Sequence, residues 1–375
     1  MSLSLQSIAS LANKYEIGPQ DAAERLASFF VSVGCDQVYD INLARHLALI
    51  ESYREFRSHK QRAKHDTGPL ISSVCPGWVC YAEKTNGELI IPHLSRVRSP
   101  QQIMGALLKQ RALRRGKSRA DVYHVTLMPC FDKKLEASRQ EFKDEGTGVS
   151  DVDCVLTPVE LEEILRDEGV TLLDFERRRL DVLVETGLSF DKPLTSHFGS
   201  VSGGYAENIL LAYMCQELDE DSKKRLQYTT LRNNDFTEIT IKHSDGGEGD
   251  APENSQALAR FAIINGFRNI QTVVQRLKRG ALKYDYIEIM ACPSGCINGG
   301  AQCRPAHDDQ DSQSTSKSAQ EVYKQVPAVD LNLRLDALNS SIYEKLDLKD
   351  EGQLNQMIYT SFRPVPKMQS VNVSW

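Results

Sequence analysis

Nine cysteines occur in 375 residues, and four of them share one local setting. Cys75 follows the β-prone run PLISSV and precedes Pro76-Gly77. Cys130 follows VYHVTLMP, and Cys292 and Cys296 follow YDYIEIMA and frame the turn Pro293-Ser294-Gly295. Proline fixes φ and glycine admits conformations closed to other residues, so shaped loops rather than helix faces present these thiols. In open parallel sheets, ligands bind outside the carboxyl ends of the strands. Three strands would thus deliver four thiols to one edge of a fold. Soft thiolates select iron–sulfur clusters, zinc or cuprous copper over hard cations, and a cubane cluster takes one thiolate at each of its four irons. Structural zinc sites favour Cys-x2-Cys knuckles. The chain has none, and its four candidates are spread from residue 75 to residue 296, so zinc is the weaker choice. Each cysteine alone would read as a small buried hydrophobe; four in matching loops fit that reading poorly. Gly299-Gly300 then keeps side chains clear of whatever the last loop encloses.

The other cysteines are expected to pack. Cys35 follows a helix-ending Gly34, Cys80 and Cys215 lie within helices, Cys154 is buried in a strand, and Cys303 is a bystander near Gly299-Gly300.

The elements that must position the thiols alternate in type. Strands are expected at 37–41, 70–74, 122–128, 152–156 and 284–290, and a hairpin at 236–241 and 257–263 with a long polar loop. A helix is expected over 43–57 with Asn42 as its N-cap, one opening at Ser99-Pro100, and one running to 166 behind a Thr157–Glu160 capping box. Others are expected from Ser202-Gly203-Gly204 to 218 and over 267–279, ended by Gly280. This alternation implies an α/β architecture with mainly parallel sheets. The expected organisation is a first lobe over 1–120 carrying the Cys75 loop and a second over 121–303 carrying the Cys130 and Cys292/Cys296 loops. A flexible linker at 304–318 and a helical tail over 319–375, ending in Trp375, would follow.

Hydrophobic residues make up 41% and charged residues 26%, with a net charge of −6. Such a field gives no reason to expect nucleic-acid binding. A basic run from Lys109 to Arg119 reads as a solvated helix end. No run of 18 apolar residues crosses a membrane, and the first residues lack a basic region followed by an apolar core. The cysteines are therefore expected in a reducing, cytoplasmic setting, with a nuclear pool as a further expectation.

The loops SVCPGW, MPCFDKKLE and MACPSGCINGGAQ resemble the three signature loops of iron-only hydrogenases. CPGWVCYAEKT, RSPQQIMG, DVDCVLT, SGGY, GFRNIQ and QRLKRG are similar to the cytosolic hydrogenase-like proteins of eukaryotes, also called nuclear prelamin A recognition factor-like proteins. The resemblance implies the hydrogenase large-subunit fold, two lobes each with a small twisted sheet flanked by helices, and one 4Fe-4S cluster between them on Cys75, Cys130, Cys292 and Cys296. In hydrogenases the last of these also bridges to a two-iron subsite that Lys133 would touch; without that subsite Lys133 reads as a solvated helix start. The proton-donor cysteine of hydrogenases is replaced by Val74, which cannot exchange protons, so the chain is expected not to be an enzyme. The family's N-terminal ferredoxin-like segment, with ligands for a second cluster, is expected to be missing. The resemblance implies a component of cytosolic iron–sulfur protein assembly. Its partners would be a P-loop NTPase scaffold, a targeting complex of WD40-repeat and HEAT-repeat proteins, and apoprotein clients. A terminal Trp375 with its carboxylate suits docking on the targeting complex. The alternatives are an iron-only hydrogenase and a nuclear prelamin-binding paralogue.

Overall fold

The computed structural model describes residues 1–62, 68–183, 194–199, 203–218, 226–231, 233–242, 257–304, 312–329, 342–346, 348 and 350–365. In chain order its elements begin β1 (Ser2–Leu3), α1 (Leu5–Lys14), α2 (Pro19–Ser32), β2 (Tyr39–Asp40), α3 (Asn42–Arg62), β3 (Leu70–Ser72), α4 (Pro76–Ile90) and α5 (Pro100–Arg114). They continue with β4 (Val125–Leu127), α6 (Asp132–Ala137), β5 (Cys154–Leu156), α7 (Pro158–Asp167), β6 (Ser196–His197) and α8 (Tyr205–Glu217). The last are β7 (Leu226–Thr230), β8 (Phe236–Lys242), β9 (Ala257–Asn265), α9 (Phe267–Lys278), β10 (Tyr286–Met290), α10 (Ser312–Lys324), β11 (Ala328–Val329) and α11 (Glu351–Ile358).

Two principal sheets result. The first is wholly parallel, in the order β2-β1-β4-β5. The second runs β3-β10-β9-β8-β7; β3, β10 and β9 are parallel, and β8 and β7 add an antiparallel edge. A short parallel pair joins β11 to β6. The chain is therefore α/β, with helices flanking small, mainly parallel sheets. The sheets do not separate at residue 120: β3 joins the second sheet beside β10, and β4 and β5 complete the first. Part of the stretch expected as a linker, from Ser312, is helical. Trp375 lies outside the described residues.

Burial explains the parallel strands. All five residues of β10 are buried, as a strand covered on both faces requires. One face meets α3 and α8, where Phe56 packs edge to face on both Phe261 and Tyr286. The other meets α4 and α9 through Trp78, Ile270 and Val274. Helices α1 and α2 close the first sheet with α7 and α10. The Thr157–Glu160 capping box forms, each partner receiving the other's backbone amide.

Several expectations change. Asn42 is the first residue of α3 rather than its cap, and the Asp40 carboxylate accepts its amide at 2.9 Å. Ser99 does occupy the N-cap of α5, but its hydroxyl donates to Glu136 at 3.0 Å instead of capping. Lys109 is fully buried, donating to Asp153 at 2.7 Å and to the Val122 carbonyl. The basic run thus starts inside the core, because a carboxylate from another element meets it. Strand β7 answers to no expected element.

His124 sits beneath the first sheet. Its Nδ1–H donates to the Asp151 carbonyl at 3.3 Å, and Nε2 accepts from Ser2 Oγ at 2.8 Å. Burial pushes its pKa down to about 3, against an ordinary 6.5. The unfolded chain therefore takes up the proton first, so this contribution is full above the unfolded value and is lost as pH falls from there toward the folded value. Between about pH 6 and about pH 4 the loss is about 1.4 kcal/mol per pH unit. His124→Gln is expected to flatten the pH dependence of the urea midpoint by that slope; an unchanged slope would contradict it.

Candidate metal centre

The four cysteines leave the carboxyl ends of three strands in two sheets. Ser73 follows β3 and clamps it to β10, donating its hydroxyl to the Ile289 carbonyl at 2.6 Å and accepting the Cys75 amide at 3.1 Å. Cys75 is then the N-cap of α4, with Pro76 at the first helical position. Its sulfur accepts the Ala291 amide at 3.4 Å, as the parallel register pairing Ser72 with Glu288 requires. Cys130 lies between β4 and α6. After β10 the chain turns tightly through Ser294 at φ 59 and Gly295 at φ 77, and Cys296 opens a single 3-10 turn to Asn298.

Glycines let these loops nest. A Cβ on Gly299 would lie 2.3 Å from the Pro129 carbonyl oxygen; beside that contact the Ala301 amide donates to the same oxygen at 3.2 Å. A Cβ on Gly77 would lie 2.6 Å from the Asp132 carboxylate. The space cleared by Gly299 is thus taken by the Cys130 loop. Gly300 has open space around its Cα.

The thiols sense one another. Cys296 is pushed well above its ordinary range by burial and then by Cys75, Cys130 and Cys292. Burial lifts Cys130 to about 12 and Cys292 to about 11. Backbone amides work in the opposite sense: those of Trp78 and Ala291 on Cys75, Lys133 on Cys130 and Gly300 on Cys292. The Lys133 charge also favours the thiolates of Cys130, Cys75 and Cys296. The site holds protonated thiols whose ionised forms are already provided with donors, so a bound cation would complete the ionisation. Among the described residues no three His, Cys, Asp or Glu side chains converge closely enough for a single metal ion. Tetrahedral zinc, with bonds of about 2.3 Å, would need sulfurs only about 3.8 Å apart.

The family described as iron only hydrogenase large subunit, C-terminal domain, matches residues 1–300. This chain belongs to that family. A probable cytosolic Fe-S cluster assembly factor of Drosophila mojavensis is 41% identical, over 100% of this chain and 76% of its own length. Cytosolic iron-sulfur assembly component 3 of Mus musculus is 40% identical, again over 100% and 76%. An apo [FeFe]-hydrogenase from Chlamydomonas reinhardtii superposes with a TM-score of 0.77 at 22% identity, covering 97% of this chain and 93% of that one. The last comparison establishes the iron-only hydrogenase fold.

Within this iron-only hydrogenase frame, Lys133 is not a solvated helix start. It is buried and donates to Glu136 at 2.7 Å; Glu136 also accepts from Ser99 at 3.0 Å and Gln101 at 3.1 Å. Sequence reasoning missed Ser73, Glu136 and Gln101. Only the three-residue spacing of Lys133 and Glu136 on one helix face signalled any of them. Lys134, in contrast, is half-exposed and pairs with Glu160 at 2.8 Å. Val74 is partly buried and lines a cavity that also touches Lys133 and Cys296. Cys303 is buried against α1, its amide donating to Ser10 at 2.9 Å. Cys154 is only half-buried, correcting the expectation of a buried strand residue.

Gly299→Val is expected to force apart the Cys130 and Cys296 loops and cost about 1–3 kcal/mol in urea unfolding, the range for overpacked sites. Gly300→Ala is expected to stay within about 0.5 kcal/mol, as at open surface positions. Equal effects of the two would contradict the nesting of the loops.

Proposed function

We propose that Cys75, Cys130, Cys292 and Cys296 hold one 4Fe-4S cluster, and that the protein serves cytosolic iron–sulfur protein assembly. In this role it links an early P-loop NTPase scaffold to a late targeting complex that supplies cytosolic and nuclear apoproteins. The observation that carries the cluster reading is the convergence of four separated thiols, three of them facing backbone N–H donors, at strand ends of two sheets. The names of relatives at about 40% identity support the assembly role. Such a cluster supplies a low-dielectric redox centre whose potential answers to hydrogen bonds at its sulfurs. The chain's own part is to orient the thiols through Ser73 and the Gly299–Pro129 contact and to place the Lys133 charge beside them.

Metal affinity becomes folding free energy when the site is unformed in the unfolded chain. Cys130→Ala and Cys296→Ala, matured anaerobically, are expected to lose iron and acid-labile sulfide and to melt at lower temperature. Iron and sulfide equal to the parent would sink the ligand assignment.

Hydrogenase catalysis is the second reading, because the solved neighbours at TM-scores of 0.75–0.78 are hydrogenases. Val74 offers no exchangeable proton beside Cys296. Hydrogen evolution from a reduced dye is expected to match that of a cluster-free control; clear excess turnover would favour the enzyme. For the tail, deletion of Trp375 is expected to weaken capture of the targeting complex. Unchanged capture would remove its docking role.

A further inference from the structure

The described chain leaves the core at Thr360. Met357 and Ile358 are buried, and residues 358–360 pair with residues 96–98. The Arg98 amide donates to the Ile358 carbonyl at 2.7 Å and the Thr360 amide to the Arg96 carbonyl at 2.8 Å, on either side of an antiparallel bridge between Val97 and Tyr359. The next five residues are held differently. Ser361, Arg363, Pro364 and Val365 are exposed, and only Phe362 is half-buried. They cross the later half of α4, the helix whose N-cap is Cys75.

Their seat is a break in that helix. α4 leaves helical angles at Asn86, with φ −145 and ψ 42. In an unbroken α-helix the Glu83 carbonyl accepts the amide of residue 87; here it accepts the Val365 amide at 3.0 Å. The Arg363 amide donates to the Glu83 carboxylate at 3.3 Å, and a Cβ on Gly87 would lie 2.8 Å from Pro364. The Arg139 guanidinium sits over the Phe362 ring, 6.0 Å from its centre. With Thr360, Phe362 closes one side of a small cavity whose other side includes Ser73, Pro76 and Cys80, from the Cys75 loop and α4.

Lifting residues 361–365 orphans no buried charge. Glu83, 6% exposed, keeps both hydrogen bonds from Arg139, and Arg98 keeps Asp151. The groups set free are two amides and one carbonyl, which water reaches once the segment has moved. One ring is the apolar loss, and the cavity beneath it leaves that ring short of packing partners. Few buried contacts and solvent-exposed backbone hydrogen bonds mark a segment of low local stability.

We propose that residues 361–365 are a releasable strap, turning about Thr360, that shields the outer side of the Cys75 loop, and that a protein partner holding the chain beyond residue 365 lifts it. Raised, the strap uncovers Ser73 and Cys80 and frees the broken end of α4. The partner's part rests on the tail-docking reading above; the strap itself does not.

The test follows alkylation of the half-buried Cys80 by iodoacetamide, and amide exchange over residues 73–90, both by mass spectrometry on the full iron-loaded chain. Gly87→Ala drives a methyl into Pro364, and Phe362→Ala removes the half-buried ring. Each is expected to speed Cys80 alkylation about fivefold or more, the low end for an overpacked or emptied contact, and to raise exchange over residues 73–90. Exchange over residues 1–14, in the other sheet, is expected to keep the parent's rate, which separates lifting from general loosening. Adding the targeting complex to the parent is expected to reproduce both changes, and a chain lacking Trp375 is expected not to respond. Unchanged alkylation in both variants overturns the strap, and so does an increase matched over residues 1–14. A complex that binds without changing either rate overturns the partner's part. A complex that does not bind refutes the tail-docking reading alone, and the two variants then decide the strap. Iron is assayed on every sample; iron-poor chains that alkylate as expected support the strap and refute the cluster reading alone.

Discussion

Four thiols removed from water at the meeting of two sheets form the constraint around which this molecule is arranged. Burial pushes every one of them toward the protonated form, so the site resists ionisation until something positive arrives. Yet the surroundings are prepared for thiolates. Cys75 is the N-cap residue of α4, and the Trp78 amide in the first turn favours its thiolate. The amides of Ala291, Lys133 and Gly300 reach other sulfurs or the same one, and the Lys133 ammonium lies in the field of three thiols. Orienting these donors requires β3, β4 and β10 to stop within a residue or two of fixed positions. The Ser73 clamp, the Gly299–Pro129 contact and the Asp132–Gly77 contact are the local means by which they do.

The first thiol loop is also tied to the far end of the described chain. Glu83 on α4 is buried and receives Arg139 through two hydrogen bonds of 2.9 and 2.7 Å. The Arg363 amide donates to the same carboxylate at 3.3 Å, and the Val365 amide donates to the Glu83 carbonyl at 3.0 Å. Gly87 permits this approach, since a Cβ there would lie 2.8 Å from Pro364. Residues 359–365 therefore rest on the helix that Cys75 caps. A load on that segment reaches the first thiol through one helix, and loss of the helix would release both. The physical link between residues 359–365 and the first thiol is therefore short in this fold.

Much of this was legible because strand-end thiols, prolines and glycines are local signals. The alternation of β3, α4, β4, α6 and β10 showed in hydrophobic periodicity, and the Thr157–Glu160 box in four consecutive residues. Lys109 and Lys133 were misread for a common reason: a lysine in a charged run looks solvated until a distant carboxylate is known to meet it, and Asp153 and Glu136 meet these two. The lobe boundary at residue 120 failed on pairing. Strand order depends on which parallel strands share a buried face, and three-residue strands such as β3 and β4 carry too little pattern to choose a sheet. Asn42 was read as a cap from its type alone, whereas Asp40, two residues earlier, accepts the amide of Asn42 itself, and Asn42 falls inside the helix.

The step from fold to function turns on the wall facing Cys296 rather than on the thiol loops. A TM-score of 0.77 at 22% identity means that backbone paths persist while most side chains differ, so chemistry has to be read from the residues at hand. On that wall Val74 supplies no proton, Lys133 pairs with Glu136, and Arg45 donates to Tyr323 and the Gly203 carbonyl with the buried Glu288 in its field. A catalytic pocket that moves protons needs a titratable group in line with its metal. Beside Cys296 the position of Val74 offers none, which is the physical ground for preferring the proposed assembly role to turnover.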